Sequence, residues 1–259
     1  MNILLTNDDG ASAPGLKALV DCLAPQANLM IAAPSSEKSA TSHSISLGQK
    51  LRVIESKLGG APCFAVDGTP ADCVKFALSE LKSFAPDLLI SGINQGANTG
   101  VSVYYSGTIS AAREGLINRI PSVAVSLCSK SYRDFIPCME IVSQIAGAYQ
   151  AGWMPREVLI SINVPALPKE QIKGIKITKQ AASRFIEEFV SEQERDGRKV
   201  YTLAGEIELY EPDGTSDEEA VNDGYISITP LKLDMTDYEA MRLLKEDPTS
   251  PFSRQGSRR

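Results

Sequence analysis

The chain reads as an α/β protein: a mostly parallel sheet with helices on both faces, followed by a segment of different character. Three observations predict this. Short, continuously apolar runs such as Ile3-Leu4-Leu5 and Leu88-Leu89-Ile90 recur through the first part of the chain, whereas a strand covered on one face only would alternate. Stretches of helical period stand between those runs, the order expected of crossover units. Beyond about residue 173 the pattern changes to charged and alternating stretches.

Taken in order, residues 2–6 form the first strand. Ser12-Ala13-Pro14-Gly15 opens a helix to about residue 23, with Pro14 suited to a first turn. Residues 29–33 form the second strand, closed by Pro34-Ser35-Ser36. Residues 51–54 and 63–66 read as a hairpin around Gly59-Gly60. Thr69-Pro70 starts a helix to about residue 81, and 87–93 is another buried strand. A Gly/Asn/Ser-rich loop leads to a helix over 108–116, and a helix over 135–150 separates strands at 122–127 and 158–164. Residues 184–199 are highly charged, 201–210 alternate like a strand or hairpin arm, and 216–223 are acidic. A strand at 225–231 and a helix over 232–244 follow, and the Pro-, Ser- and Arg-rich tail from residue 247 is expected to be mobile.

Composition narrows the function. With 43% apolar and 22% charged residues the 259-residue chain can build a large core. A formal net charge of −6 argues against a surface for nucleic-acid polymers, while a small anionic substrate held locally stays open. Five cysteines without a CxxC read as reduced thiols of a cytoplasmic protein. No leader pattern and no membrane-length apolar run is seen. His43 is the only histidine, so any metal site must be built mainly from oxygens, which selects hard ions such as Mg²⁺ or Mn²⁺.

The first strand runs into Asn7-Asp8-Asp9-Gly10. Adjacent carboxylates at the end of a buried strand repel each other and lose hydration, so a positive charge is expected between or near them. In an open parallel sheet, ligands bind beyond the carboxyl ends of the strands. The second strand leads to Ser36 and Ser39, and the Leu88 strand to Ser91 and Asn94. Each alone is an ordinary turn residue; together they are a set of hard-metal donors. Asn98 and Ser106-Gly107-Thr108 follow, the latter opening a helix whose free N–H groups favour an anion. Neither a P-loop nor GxGxxG is present, so no dinucleotide cofactor is supported. Asp72 reads as a first-turn helix carboxylate and His43 as a loop histidine without a role. Cys128 and Arg133 are one residue too close for a cysteine-phosphatase loop, which is discarded.

These segments resemble the SurE (survival protein E) nucleotidases. The match is carried by Ile3 through Gly10, by Ala33-Pro34 through Ser39, by Asp67-Gly68-Thr69-Pro70-Ala71-Asp72 and by Ser91 through Asn98. It continues in Tyr105 through Thr108, Ser161-Ile162-Asn163-Val164-Pro165 and Asp223 through Leu231, in the family's order. The resemblance implies a Rossmann-like core over 1–175, with 224–231 returning as a strand. It implies a protruding dimerisation arm over 176–223, and 232–259 as a C-terminal helix and flexible tail exchanged between subunits of a homodimer or homotetramer. It implies one divalent metal cation per subunit, held by Asp8, Asp9, Ser39 and Asn94. Phosphate contacts carry over onto Asn98, Ser106, Gly107 and Thr108, and catalytic roles onto Asp8, Asp9 and Asn98. The implied activity is hydrolysis of nucleoside 5′- and 3′-monophosphates or another small phosphomonoester, with neither nucleic-acid polymer nor membrane as partner. Ser36-Glu37-Lys38 departs from the basic residue that many members carry near that loop, and the short Arg-rich end bears on the exchange.

In this reading Asp8 orients or deprotonates a water, with an aspartyl-phosphate at Asp8 as the alternative. A haloacid-dehalogenase-type phosphatase is the rival enzyme, but its DxD is replaced here by Asp8-Asp9-Gly10. A non-catalytic nucleotide-binding protein is the rival from another class. For 184–210, a solvated surface insertion is the alternative to a subunit-contacting arm.

Overall fold

The computed structural model describes residues 1–194, 196–210, 212–247 and 250–252. The chain runs β1 (Asn2–Thr6), α1 (Pro14–Leu23), β2 (Asn28–Pro34), β3 (Val53–Leu58), β4 (Ala61–Val66), α2 (Pro70–Glu80), β5 (Leu88–Gln95), α3 (Ser102–Tyr105) and α4 (Gly107–Ile117). It continues with β6 (Ser122–Leu127), α5 (Ile136–Gln150), β7 (Leu159–Val164), a 3₁₀ turn (Lys169–Gln171), β8 (Ile175–Ile177), β9 (Ser183–Gln193), β10 (Lys199–Leu209), α6 (Asp217–Asn222), β11 (Ile226–Leu231) and α7 (Tyr238–Glu246).

Nine strands form one sheet in the order β3-β4-β2-β1-β5-β6-β7-β11-β8. The six strands from β4 to β7 are parallel; β3 and β11 run antiparallel to β4 and β7. The expected α/β architecture with helices on both faces is therefore present. Buried side chains on one face (Ile3, Leu5, Ile90, Val125) pack against Leu16 and Leu19 of α1 and Ile141 and Val142 of α5. Those on the other face (Leu4, Leu89, Ala124) pack against Val74 of α2 and Ile109 and Ala112 of α4. Alternate residues of one strand thus feed two separate cores, which is why the strands look uniformly apolar in sequence.

The chain leaves β1 toward β2 on one side and returns to β5 on the other. That reversal opens a crevice beyond the carboxyl ends of β1 and β5. α1 lies very close to β5 beneath it: a Cβ added at Gly15 would sit 2.1 Å from the Ile93 carbonyl oxygen.

Several elements differ from expectation. β3 begins two residues later than 51 and continues through Glu55-Ser56-Lys57, because the Gly59-Gly60 turn, with φ of +56° and +87°, fixes Leu58 opposite Ala61 and the ladder zips from there. β5 extends to Gln95, and its register against β6 shifts between Ser91 and Asn94. One extra residue there bends the strand and re-aims Asn94. β8 and α6 were not expected as elements; α6 is closed by a capping box between Ser216 and Glu219. α7 starts only at Tyr238, where Asp237 accepts the Ala240 N–H at 2.8 Å. Among the described residues β9 and β10 pair only with each other, over eleven residues each. They leave Phe189, Tyr201 and Leu203 more than half exposed. Most of the tail expected to be mobile lies outside the described residues.

The close approach of α1 to β5 predicts that Gly15→Ala is destabilising by about 1–3 kcal/mol through overpacking. Urea denaturation measures this, and a variant as stable as the parent would contradict the packing described.

Candidate active site

A cavity of about 570 Å³ opens at the crevice. It is lined by Asp8 and Asp9 after β1, Ser39 after β2, Asn94 of β5, Asn98 in the loop beyond, and Ser106 ahead of α4. Six residues singled out in the sequence thus converge on one space, because consecutive parallel strands deliver their carboxyl ends to the same edge.

Asp8 is 6% exposed and its Oδ1 accepts the Thr108 hydroxyl. Gly107 lies directly over it; a Cβ there would come 2.8 Å from Asp8 Cβ. Burial pushes the Asp8 carboxyl up from its ordinary range, against the hydrogen bonds from Thr108 that lower it. Asp9 is pushed up to about 6, first by burial and then by the neighbouring Asp8 charge. Its Oδ2 accepts the Gln95 N–H at 3.3 Å. The acid pair is therefore short of positive charge, as its sequence implied.

The Asn94 amide group donates to the Gly96 carbonyl at 2.8 Å, which leaves the carboxamide oxygen as its acceptor end. Asn98 is held from two sides: its N–H donates to Asn163 Oδ1 at 2.8 Å and its Nδ2 to Ser126 Oγ at 2.9 Å. The Ser106 hydroxyl caps α4 by accepting the Ile109 N–H at 3.1 Å. Gly107 and Thr108 are buried and do not line the cavity. The Ile109 N–H is spent on the cap and Thr108 acts on Asp8 through both its hydroxyl and its N–H, so the Gly107 N–H is the first-turn donor left for an anion. Ser39 Oγ donates to Glu37 Oε1 at 2.5 Å.

The donor set fits a hard cation. Two carboxylates, a hydroxyl and a carboxamide oxygen are its ligand types, and the acid pair carries uncompensated repulsion. Among the described residues no three Asp, Glu, His or Cys side chains gather around a metal-sized point, so a cation here would rely on Ser39 and Asn94 as well as the two aspartates.

Glu37, Lys130, Arg133, Tyr105 and Phe185 also line the cavity and were not expected there. His43, read as a loop residue without a role, is corrected by the structure. Its Nε2 lies 3.0 Å from Glu114 Oε2 on α4. Glu114, with a side chain 3% exposed, also takes Lys75 at 2.8 Å. Burial would raise the Glu114 carboxyl, but the bonds from His43 and Lys75 outweigh it and hold it low. His43 thus ties the Ser39 loop to the helix that lines the site. Asp72 is structural, as expected: it completes the capping box with Thr69 and accepts the Ser46 N–H at 3.0 Å. Burial raises the Cys128 thiol far from a thiolate range, consistent with discarding the cysteine-phosphatase loop.

Fold and crevice define a small-ligand α/β protein whose site gathers oxygen donors against a helix N-terminus. The chain belongs to the SurE family: the family described as Survival protein SurE matches residues 3–187. It is 46% identical over 249 residues to the 5′-nucleotidase SurE of Pelotomaculum thermopropionicum, covering 95% of each chain. It is 42% identical to the 5′-nucleotidase SurE of Moorella thermoacetica, over the whole of both chains. The crystal structure of the SurE protein from Aquifex aeolicus superposes with a TM-score of 0.81 at 34% identity, covering 95% of this chain and 98% of that one.

The Asp9 displacement has a sign that can be tested. A carboxyl with a folded pKa of about 6 and an ordinary value of 3.8 destabilises the cation-free fold when ionised. The penalty is full above pH 6 and fades as the pH falls toward 4. It amounts to at most ~3 kcal/mol, and solvent access reduces that to about 1–2 kcal/mol. Asp9→Asn in EDTA should therefore raise the thermal midpoint at pH 8 and have little effect at pH 4, a difference that calorimetry reads directly.

Proposed function

We propose that the chain is a metal-dependent 5′-nucleotidase that hydrolyses nucleoside 5′-monophosphates, and 3′-monophosphates as well, to nucleoside and phosphate. The observation that carries this is the Asp8–Asp9 pair, buried at Asp8 and half-buried at Asp9, lining a cavity large enough for a nucleotide while the first turn of α4 packs directly on Asp8. The names of the relatives support the nucleotidase assignment.

Asp8, Asp9, Ser39 and Asn94 would hold one divalent cation per subunit, Mg²⁺ or Mn²⁺. When bound, such an ion supplies Lewis-acid polarisation of a phosphoryl oxygen and activates a water. The chain's own residues do the rest. The Gly107 N–H, and the Thr108 N–H that Asp8 shares in the free protein, would bind phosphoryl oxygens with the aid of the helix dipole and strengthen as charge builds on them. Asn98, fixed by Asn163 and Ser126, has a second amide hydrogen to direct at the phosphoryl group. Thr108 fixes the rotamer of Asp8, so that its other oxygen orients the attacking water and takes its proton. Burial of Asp8 suits that role, since it raises the carboxylate's proton affinity.

The hairpin β9–β10, within the 176–223 segment, is the proposed subunit-contacting arm of a homodimer or homotetramer. Its exposed Phe189, Tyr201 and Leu203 support that reading over a solvated insertion. No helix among the described residues is long and apolar enough to cross a membrane. All five cysteines are free thiols, which fits a cytoplasmic setting.

The test is phosphate release from AMP with Mn²⁺ and with EDTA. Turnover should be lost in EDTA and kept after cysteine alkylation, and Asp8→Asn should lower kcat by about 10²-fold or more. Absence of turnover across several nucleotides and metals would favour a nucleotide-binding protein. Acid quenching of the enzyme during turnover of ³²P-labelled AMP should leave no phosphate on the protein; an acid-stable, hydroxylamine-sensitive phosphoprotein would point to an aspartyl-phosphate at Asp8.

A further inference from the structure

The charge balance of the cavity assigns a role to two residues that neither the strand-end pattern nor the capping chemistry explains. Three carboxylates line it, Asp8, Asp9 and Glu37, against two cations, Lys130 and Arg133. Glu37 acts electrostatically on both aspartates, so all three belong to one field. A divalent cation therefore does not by itself make the cavity positive; three carboxylates and one such ion leave one negative charge. A phosphomonoester near neutral pH is a dianion and would be repelled. With Lys130 and Arg133 included, the loaded cavity carries one net positive charge, and the sign of its interaction with substrate reverses.

The loop that carries both cations is built. It spans 128–135 between β6 and α5. The Ser129 hydroxyl accepts the N–H groups of Ser131 and Tyr132 at 3.2 and 3.1 Å, closing a turn. Tyr132 packs against the core, and its carbonyl accepts Gln95 Nε2 at 3.5 Å. Arg133 Nη1 donates to the carbonyls of Lys130 and Tyr132 at 2.6 and 3.3 Å. One guanidinium nitrogen is thus spent on orientation, and the fork keeps Nε and Nη2 for another acceptor. Among the described residues neither Lys130 nor Arg133 is within ion-pair distance of a carboxylate, whereas Lys75, Lys169, Lys179 and Arg184 are. The Arg133 charge nevertheless reaches Asp9. An oriented guanidinium and a second cation beside it, neither in an ion pair among the described residues, are what a phosphoryl group requires on the side away from a metal ion.

We propose that Lys130 and Arg133 are phosphate-contacting residues: Arg133 binds the phosphoryl oxygens, Lys130 adds charge, and together they make the cavity select dianionic phosphomonoesters over monoanionic diesters. This rests on the nucleotidase reading for its substrate but is tested without it. Both side chains are exposed, so their removal leaves the fold intact, which an unchanged thermal midpoint verifies.

The experiment titrates Mn²⁺ into the metal-free protein, then inorganic phosphate into the Mn²⁺-loaded protein, for the parent, Arg133→Ala, Arg133→Lys and Lys130→Ala/Arg133→Ala. The double variant should bind phosphate about tenfold or more weakly, while its Mn²⁺ affinity stays equal or becomes tighter, because a like charge has left the acid pair. Arg133→Lys should retain most of the phosphate affinity. With turnover as the readout, KM for AMP should rise in the double variant and the preference for AMP over bis(p-nitrophenyl) phosphate should fall. Phosphate affinity unchanged in the double variant overturns the proposal. So does a parallel loss of Mn²⁺ affinity, which would make the loop a support for the acid pair. If the parent turns over no nucleotide yet loses phosphate binding on these substitutions, the nucleotidase reading fails and this one stands.

Discussion

Two carboxylates adjacent in sequence, at the end of a buried strand, are the constraint around which the rest is arranged. Repulsion between Asp8 and Asp9 is tolerated because β1 lies between β2 and β5, at the point where the chain reverses direction across the sheet. Backbone donors and hydroxyls of the flanking segments then reach the pair: Thr108 to Asp8 and the Gln95 N–H to Asp9. These bonds offset part of the burial cost and leave the rest, so that both carboxyls stay raised. An added positive charge is therefore stabilising in the folded state, and binding and folding are coupled at this point.

The loops around the pair are stapled by carboxylates placed deeper in the fold. Glu114 on α4 fastens the Ser39 loop through His43 and α2 through Lys75. Asp217, 1% exposed at the start of α6, accepts the N–H of Ala181 at 2.9 Å and that of Gly100 at 3.2 Å. It thereby joins the Asn98 loop to the root of the β9–β10 hairpin. Val101 N–H to Ser183 Oγ at 2.8 Å and Gln180 Nε2 to the Gly100 carbonyl at 2.8 Å reinforce the same junction. Phe185, two residues along β9, reaches the cavity wall. The proposed oligomerisation arm and the site are thus parts of one hydrogen-bonded assembly.

Much of this was legible in the sequence, for identifiable reasons. Parallel strands announce themselves by unbroken apolar runs, and the strand-end rule then places Asp8, Asp9 and Asn94 at one edge without further knowledge. Ser39 follows from the same rule at the end of the second strand, while the specific role of Asn98 came from the SurE resemblance. What the sequence hid depends on tertiary approach or on short elements. His43 and Glu114 are separated by 71 positions, and nothing local marks them as partners. Lys130 and Arg133 sit in a loop whose only visible pattern was a mis-spaced cysteine motif, so their proximity to the acid pair had no local signal. β8 has three residues, too few for a periodicity. α6 did carry a signal, since Ser216 followed three residues later by Glu219 is a capping box; it was masked by an acidic composition. Thr108 illustrates a further limit: its place at a helix start is legible in the sequence, but only the fold reveals that its hydroxyl donates to Asp8.

The most direct test of the central claim is the anomalous scattering of crystals grown in excess Mn²⁺. One manganese peak in the crevice, within coordination distance of oxygens from Asp8, Asp9, Asn94 and Ser39, is what the arrangement predicts. A vacant crevice, or a peak bound elsewhere on the molecule, would contradict it.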